Sequence, residues 1–499
     1  MKRNFSNSIA ALASGACLRF FFVLKFPAGS GDTVLYEQIA TNWLKHHSYA
    51  MDVGGVVTPM DIRMPGYPAF LALIYGLLGK TGPEARIWVM SAQVIVDLLT
   101  CLVTATLAAT LVFLAFESVR PRRVFAAALW LAALCPFTAN YTAVLLTETW
   151  ATFFTALALL LMGLQLLRFR GSTFCVDEIT VSLGVRAEWF GAFAGFAAGL
   201  GTLFRPETPL LVVVALAVLS WYLLRGRQWT RMFRTLAFLC GGCAVALAPW
   251  AIRNAVTLHE MQFLTPKNAT LPDELAPTGF IAWEKTWLFR IRDCYAVAWK
   301  LNEEAIHLED IPARAFDTQE ERDRVSNLLE PYNTDLTLTA EEDAGFAQLA
   351  KERIARHPLR SYLWLPAGRA MTMWLTPRIE LLPLSGKAFP LAEAWEDDPR
   401  DQAVTIGFVT LVVVYLLLAA WGAGRLWRQP GAKVAVALLV GFIVVRTAFL
   451  STLETPEPRY VLVCFPALFA LAAQVFVGKG AVRTAVARVE LAAEPYSTP

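Results

Sequence analysis

The chain has 499 residues, of which 56% are hydrophobic and only 17% are charged, and its mean hydropathy is +0.47. A soluble chain of this length buries its core with far less apolar sequence, so the composition excludes an ordinary soluble protein. The net charge of only +3 gives no reason to expect nucleic acid as a partner.

The apolar residues come in blocks, each close to the roughly 20 residues that a helix needs to cross a bilayer. We therefore predict an all-α polytopic membrane protein. The predicted crossings are 5–26, 86–115, 124–140, 147–167, 189–204, 207–224, 234–252, 403–424, 432–451 and 459–477. The first block holds Arg19 and has no clear cleavage site, so it is interpreted as an uncleaved span rather than as a secretory signal.

Basic residues are unevenly distributed among the joints between these blocks. They gather in the joints 120–123, 168–186, 225–234, 425–433 and 479–488. The alternating joints 137–146, 204–207 and 451–459 hold few of them. Because short basic loops stay in the cytoplasm, both termini are predicted to be cytoplasmic in a bacterial inner membrane. The same count predicts that the short apolar segments 67–79 and 361–374 are juxtamembrane or half-inserted helices on the external side.

Three parts of the chain follow from this topology. Residues 1–252 form an N-terminal transmembrane catalytic module with a first external loop at 27–85. Residues 253–402, rich in proline and acidic residues before 342, are predicted to form a small external domain. Residues 403–499 are assigned to C-terminal transmembrane helices and a cytoplasmic tail.

Ionisable residues recur at the predicted external ends of the spans, often beside proline. Asp32 follows the first span, Arg63 precedes a proline–glycine turn, and Glu148 opens a later span. Two more joints hold Arg205 and the pair Arg459–Tyr460. Each alone is as consistent with an interface anchor as with a functional group, but the accumulation on one side favours a site.

These residue types suit one kind of chemistry. Arginine binds phosphate through forked, charge-assisted hydrogen bonds, and a nearby carboxylate can take a proton from a hydroxyl. Apolar grooves between spans can hold a long lipid tail. Since the chain has no P-loop or dinucleotide motif, the pattern favours a lipid-phosphate-linked donor whose head group moves to an acceptor outside the cytoplasm.

The order of the motifs is also informative. Asp-x-x-x-Tyr (32–36) follows the first span and RMPGYP (63–68) precedes a short apolar helix, and Thr-Glu, Arg-Pro and Arg-Tyr pairs come later. This order resembles the GT-C glycosyltransferases, and looks closest to the bacterial branch related to protein O-mannosyltransferases and to the transferases that add sugars to lipopolysaccharide. The resemblance implies a GT-C-like bundle of about 10–12 transmembrane helices with juxtamembrane external helices and a small external domain.

The resemblance further implies a hexosyl- or pentosyltransferase with a periplasmic active site. Its partners would be a polyprenyl-phosphate sugar donor, membrane lipids, and a lipid, glycan or protein acceptor. Asp32 corresponds to the general base that activates the acceptor hydroxyl, with inversion at the sugar, and Glu148 to an acid that positions substrate or metal. The implied substrate contacts are Tyr36, Arg63, Tyr67, Arg205, Arg459 and Tyr460.

The resemblance leaves the metal open. No cofactor is certain, but a divalent metal is possible, because some relatives carry two adjacent acids in the first loop. Here Asp32 stands alone, and Glu37 and Asp61 are the nearby substitutes.

Three alternatives stay open. A transporter would place charges near the middle of the membrane, where Asp97 is the clearest acid, although a hydrogen bond between helices explains it as well. A lipid-linked glycan polymerase or ligase would share the compartment and the lipid carrier. An inactive relative acting as an assembly partner is the third, and the intact Asp32, Arg63 and Glu148 argue against it.

Overall fold

Helices make up most of the chain, as the apolar blocks predict. This computed structural model describes residues 2–116, 121–171, 174–176, 179–181, 185–266, 270, 274–386 and 391–478. The described residues contain only two short antiparallel hairpins besides helices, so the prediction of an all-α polytopic fold is confirmed. The predicted basic residues Arg120, Lys479, Arg483 and Arg488, and the predicted tail beyond 478, lie outside the described residues.

The N-terminal half carries the first external loop between two long helices. Its elements are α1 (Lys2–Lys25), α2 (Gly31–His46), β1 (Ala50–Val53), β2 (Val56–Pro59), α3 (Gly66–Leu78), α4 (Pro83–Ala115), α5 (Arg122–Ala133), α6 (Pro136–Asn140), α7 (Glu148–Phe169), β3 (Phe174–Val176), β4 (Ile179–Val181), α8 (Ala187–Thr202), α9 (Pro209–Arg225) and α10 (Trp229–Thr257). The β1–β2 hairpin turns at Gly54 and Gly55, whose φ angles of 58° and 85° glycine adopts without strain.

Short helices follow before the chain returns to long ones. The elements are α11 (Thr278–Glu284), α12 (Ile291–Ala296), α13 (Gln319–Asp335), α14 (Ala340–Arg356), α15 (Leu365–Leu375), α16 (Leu391–Asp397), α17 (Pro399–Trp427), α18 (Lys433–Leu450), a 3₁₀ helix (Pro458–Cys464) and α19 (Phe465–Ala472). The rings of Phe280, Trp283 and Phe346 pack 5.0–5.6 Å apart in a hydrophobic core of α11–α14 that is separate from the main bundle. This core lies inside the segment 253–402 that the sequence assigns to an external domain.

Seven helices of the described residues are long and apolar enough to cross a membrane, and the pair α5–α6, bent by 46°, makes an eighth if it is one span. The chain is therefore a multi-pass membrane protein. The predicted crossings 189–204 and 207–224 fall on α8 and α9, which have only 16 and 17 residues. They are separated by an interruption, 203–208, which contains Pro206 and is followed by Pro209 at the start of α9, and these prolines prevent one helix from continuing into the other.

The two predicted juxtamembrane segments are short helices. The segment 67–79 falls on α3, whose 13 residues rise about 20 Å, against about 30 Å for the hydrocarbon of a bilayer. The segment 361–374 forms a π-helical turn, Arg360–Trp364, that runs into α15.

A buried ion pair fixes the first span against its neighbours. Arg19 of α1 donates from Nε to Asp97 Oδ2 of α4 at 2.7 Å, and from Nη1 to the Ala133 carbonyl oxygen at the end of α5 at 2.8 Å. Asp97 is thus occupied by a structural contact between helices. The acid that most favoured a transporter in the sequence is therefore paired with Arg19.

Candidate functional site

Two long-range hydrogen bonds bring the first two acids together. Asp32 lies in the first turn of α2, and Glu148 begins α7. Ahead of α2, the Ala28 backbone nitrogen donates to the Ala143 carbonyl oxygen at 3.1 Å, and within α2 the Thr33 hydroxyl donates to the Leu145 carbonyl oxygen at 3.2 Å. Both carboxylates therefore lie at helix N-termini, where the helix dipole favours negative charge.

A glycine brings Arg63 to the interruption that carries Arg205. The Gly66 backbone nitrogen donates to the Leu203 carbonyl oxygen at 2.7 Å. A Cβ added at position 66 would lie 2.6 Å from that oxygen, so only glycine allows so close an approach. The RMPGYP turn (63–68) thus lies directly against the end of α8.

One cavity collects the residues that these contacts position. Its volume is about 560 Å³. Seven of the eight residues singled out in the sequence line it: Asp32, Tyr36, Arg63, Glu148, Arg205, Arg459 and Tyr460. Another part of the wall is apolar and is formed by Phe204, Phe449, Leu450 and Leu453. The cavity therefore combines a charged region with a surface suited to hydrocarbon.

Tyr67 lies behind this wall. It is fully buried, and its hydroxyl donates to Gln93 Oε1 at 2.8 Å. Its ring packs edge-on against Tyr36 with centroids 5.1 Å apart. Tyr67 therefore supports Tyr36 rather than facing the cavity itself.

Two arginines hold Asp32. Its Oδ1 accepts from Arg63 Nη2 at 2.9 Å, and its Oδ2 lies 3.5 Å from Arg459 Nη2. Burial raises the pKa of Asp32, but the charges of the two arginines and the hydrogen bond from Arg63 outweigh it, so the pKa is lowered from its usual value. Asp32 is therefore a carboxylate at neutral pH, and its side chain is still 27% exposed to the cavity.

Glu148 is more deeply enclosed, with its side chain only 3% exposed. Its Oε1 accepts from Arg205 Nη1 at 2.6 Å and lies 3.7 Å from Arg459 Nε. Its Oε2 is buried and has no hydrogen-bond partner among the residues that the structure describes. Arg459 therefore lies between Asp32 and Glu148, and one oxygen of Glu148 is left for another group.

Two further residues extend the network and were not among the predicted site residues. Glu207 Oε1 accepts from Arg205 Nε at 2.6 Å and from Arg446 Nη2 at 2.9 Å. Burial raises the pKa of Glu207, but the charges of Arg205 and Arg446 outweigh it and lower the pKa to about 2. Arg446 lies within the predicted crossing 432–451. An arginine inside an apolar helix was the sequence signal that could have identified it.

Glu457 completes the network beside Arg459. Its Oε2 lies 2.5 Å from Arg459 Nε, and its Oε1 accepts from the Tyr460 hydroxyl at 2.6 Å. The guanidinium of Arg205 lies over the Tyr460 ring, 4.8 Å from its centroid. The 3₁₀ helix that begins at Pro458 is thus fixed to the other elements of the site by charge and by a cation–π contact.

The carboxylates do not form a metal site by themselves. In the described residues no group of three or more His, Cys, Asp or Glu side chains is placed to hold a metal ion. The two substitutes considered in the sequence point away from the cavity. Glu37 accepts from Arg86 Nη2 at 2.6 Å, and Asp61 Oδ2 accepts from Gln262 at 2.7 Å once that amide is oriented to suit its neighbours. Because the cavity carboxylates already pair with arginines, the residues present do not fit a divalent metal.

Comparisons with known proteins identify similar folds only. No protein-family model matches the sequence, and no curated protein matches it. Two solved structures of the oligosaccharyltransferase from Archaeoglobus fulgidus are similar to it. AglB in complex with an inhibitory peptide and a dolichol-phosphate matches with a TM-score of 0.50 and 12% identity over 99% of this chain and 52% of its own.

The structure of the same enzyme tethered with an acceptor peptide matches with a TM-score of 0.51 and 13% identity, over 98% of this chain and 50% of its own. The chain thus spans about half the length of these oligosaccharyltransferases. ArnT from Cupriavidus metallidurans bound to undecaprenyl phosphate has a TM-score of 0.40 and 14% identity over 98% and 81%.

Proposed function

On the premise that the chain has the GT-C fold of these neighbours, we propose that it is a glycosyltransferase. It moves a sugar from a polyprenyl-phosphate-linked donor to a hydroxyl acceptor. The observation that carries the proposal is the cavity of about 560 Å³, which places three arginines and three carboxylates next to an apolar wall. A lipid-linked phosphate has the same division between an anionic head and a hydrocarbon tail.

Arg63 is the arginine best suited to hold the donor phosphate. It forms one ion pair, with Asp32, and its side chain remains 25% exposed, whereas Arg205 and Arg459 each contact two or more acids. Negative charge grows on the phosphate as the sugar–phosphate bond breaks. A guanidinium already fixed in place stabilises that charge without reorganisation.

The apolar wall supports a polyprenyl carrier. Phe449 and Leu450 lie at the end of α18, and Leu453 follows them, so the apolar wall of the cavity lies at the end of a predicted crossing. The oligosaccharyltransferase neighbour was solved with a dolichol-phosphate, which belongs to this class of lipid.

Asp32 is proposed as the general base. In the transition state of sugar transfer, most of the positive charge develops on the sugar. The acceptor hydroxyl becomes acidic only as its oxygen forms a bond to the sugar. A charged carboxylate in contact with that hydroxyl then takes the proton, even when its pKa is low. With a single base on one side of the sugar, direct attack inverts the anomeric centre. Glu148 would orient the acceptor or the arginines through its unpaired Oε2.

The active site is assigned to the periplasmic face of a bacterial inner membrane. Glu148, Arg205 and Arg459 come from, or border, the joints that are poor in basic residues, and these joints alternate with strongly basic ones. Both termini are then cytoplasmic. The segment 253–402 lies on the side of the acceptor, which is a lipid, a glycan or a protein, and we assign acceptor selection to it.

The decisive experiment is sugar transfer from a labelled polyprenyl-phosphate donor in membranes, comparing the native chain with Asp32→Asn. We expect transfer to fall by roughly 10²–10⁴-fold, because asparagine keeps the size of aspartate but cannot accept the proton. Asp52→Asn, an exposed position in the same external loop, is the matched control and should transfer normally. Normal transfer by Asp32→Asn at native protein levels would refute the role of Asp32.

A further inference from the structure

Arg446 is a fully buried cation in the apolar helix α18, and it does not line the cavity. A charge in a membrane-spanning helix is costly and is retained where it has a specific partner or task. Arg446 is therefore a candidate for a role in the site, and the proposed reaction does not yet assign it one.

The contacts of Arg446 join two elements of the site. Its Nη2 donates to Glu207 Oε1 at 2.9 Å, in the interruption between α8 and α9. Its Nε donates to the Tyr460 carbonyl oxygen at 3.2 Å, in the 3₁₀ helix that also carries Arg459. One guanidinium thus joins two segments that supply cavity residues and lie about 250 residues apart in the sequence.

Glu207 transmits this contact to the cavity. The same Oε1 that accepts from Arg446 also accepts from Arg205 Nε at 2.6 Å. Arg205 in turn donates from Nη1 to Glu148 at 2.6 Å. Because Arg446 neutralises Glu207, Arg205 does not have to do so alone, and its positive field remains directed at Glu148 and the cavity.

The charges of the network balance only when Arg446 is included. The interacting carboxylates are Asp32, Glu148, Glu207 and Glu457, and the interacting guanidiniums are Arg63, Arg205, Arg446 and Arg459. Without Arg446 this network would carry one net negative charge in surroundings of low polarity. That excess charge would weaken the attraction of the cavity arginines for a phosphate.

We propose that Arg446 is a positioning residue, which neutralises Glu207 and so sets the affinity of the cavity for the phosphate of the lipid carrier. The inference rests on the proposed function, because it takes a polyprenyl phosphate as the ligand. It adds a residue that never touches the ligand and acts through Glu207 and Arg205.

The test compares two probes, undecaprenyl phosphate and undecaprenol, binding to the full-length protein in lipid nanodiscs. The native protein should prefer the phosphate lipid. Arg446→Gln should lower the affinity for undecaprenyl phosphate by roughly tenfold to a hundredfold, the range seen when groups behind direct ligand contacts are removed. The affinity for undecaprenol should not change, and Arg446→Lys, which keeps the charge, should retain most of the preference.

Arg19→Gln is the matched control. Arg19 is equally buried in a span and pairs with a carboxylate, Asp97, outside the cavity. This variant should lower the midpoint of thermal unfolding without changing the ratio of the two affinities. A purely structural role for Arg446 would make Arg446→Gln behave in the same way and would overturn the inference.

The double variant Arg446→Gln/Glu207→Gln separates charge balance from simple damage. It removes the charges of both Arg446 and Glu207 and leaves no uncompensated carboxylate. It can therefore be tested even if Arg446→Gln alone fails to fold. If Arg446 acts by neutralising Glu207, the double variant should regain the preference for the phosphate lipid. A preference that stays lost in a folded double variant overturns the inference. Absence of any preference in the native protein overturns the proposed function as well.

Discussion

The backbone nitrogen of Gly66 donates to the carbonyl oxygen of Leu203 at 2.7 Å, across 137 residues of sequence. This contact holds the turn with Arg63 against the interruption with Arg205. It depends on the absence of a side chain at position 66, since a Cβ there would lie 2.6 Å from the same oxygen. The geometry of the two arginines is therefore set by a glycine that has no chemistry of its own.

Gly66→Ala should destabilise the protein and disturb the site. Pushing the turn away from α8 should lower the free energy of unfolding by about 1–3 kcal/mol, as for other overpacked positions, and should reduce sugar transfer. Gly76→Ala in the same helix is the control, because its Cβ would lie 3.6 Å from Leu44 Cδ2, an ordinary contact. Thermal unfolding and transfer assays check both variants, and equal behaviour of the two would contradict the proposed importance of the Gly66–Leu203 contact.

Substitution of Arg63 should weaken donor binding in a graded way. Arg63→Gln removes a charged hydrogen bond to phosphate, a loss of about 1.5–3 kcal/mol, so KM for the donor should rise roughly tenfold to a hundredfold. Arg63→Lys keeps the charge but loses the fork, and KM should rise less. Steady-state kinetics with the labelled donor measure both. An unchanged KM in Arg63→Gln would assign the phosphate to another arginine.

The stability of the protein should depend on pH through Glu207. A carboxyl group whose pKa is depressed by folding contributes stability above its unfolded pKa, and this contribution is lost as pH falls through the folded pKa. For Glu207 the window runs from 4.5, the ordinary value, down to about 2. The midpoint of thermal unfolding should fall across this window in the native protein. The fall should be smaller in Glu207→Gln, and identical profiles would contradict the depressed pKa.

Protonation of Asp32 should not reduce the rate of sugar transfer at any pH above the usual titration range of an aspartate. The pKa of Asp32 is lowered from 3.8 because Arg63 and Arg459 outweigh the effect of burial. Asp32 is then a carboxylate throughout the range from about pH 5 to pH 8. A pH profile of kcat/KM for the donor checks this. An acidic limb above pH 5 whose midpoint shifts in a folded Asp32→Glu variant would show that the pKa of Asp32 is raised instead.

Chelation should leave the proposed sugar transfer intact. The carboxylates of the cavity are paired with arginines, and no group of three metal-binding side chains occurs among the residues that the structure describes. After dialysis against EDTA, transfer should stay within about twofold of the untreated enzyme, since no protein-held cation is removed. Loss of transfer that Mg²⁺ or Mn²⁺ restores would contradict this expectation.

Hydropathy predicted the positions of the long helices well, but it predicted the interruptions between helices poorly. The long apolar blocks predicted α4, α7 and α17 because a span of about 20 apolar residues has few other uses. The short lengths of α8 and α9 were harder to predict from the sequence. Both apolar runs reach close to the interruption at 203–208, and the window that detects a span averages across its ends.

The sequence singled out ionisable and tyrosine residues near prolines in the joints between predicted spans. Seven of those eight residues line one cavity, and their role there stays a prediction. Tyr67 was placed behind the wall by its hydrogen bond with Gln93, a contact that sequence spacing cannot reveal. Arg446 was missed because its surroundings in the sequence are apolar, and its partner Glu207 is 239 residues away.

The buried pair of Arg19 and Asp97 has a consequence for the biosynthesis of the protein. Arg19 enters the membrane 78 residues before its carboxylate partner is translated, and its contact with Ala133 requires a further stretch of chain. Until then the first span carries an uncompensated cation. Nascent chains that end before residue 97 should therefore be retained beside the insertion machinery, and α1 should enter the lipid phase only after α4 has arrived to meet it.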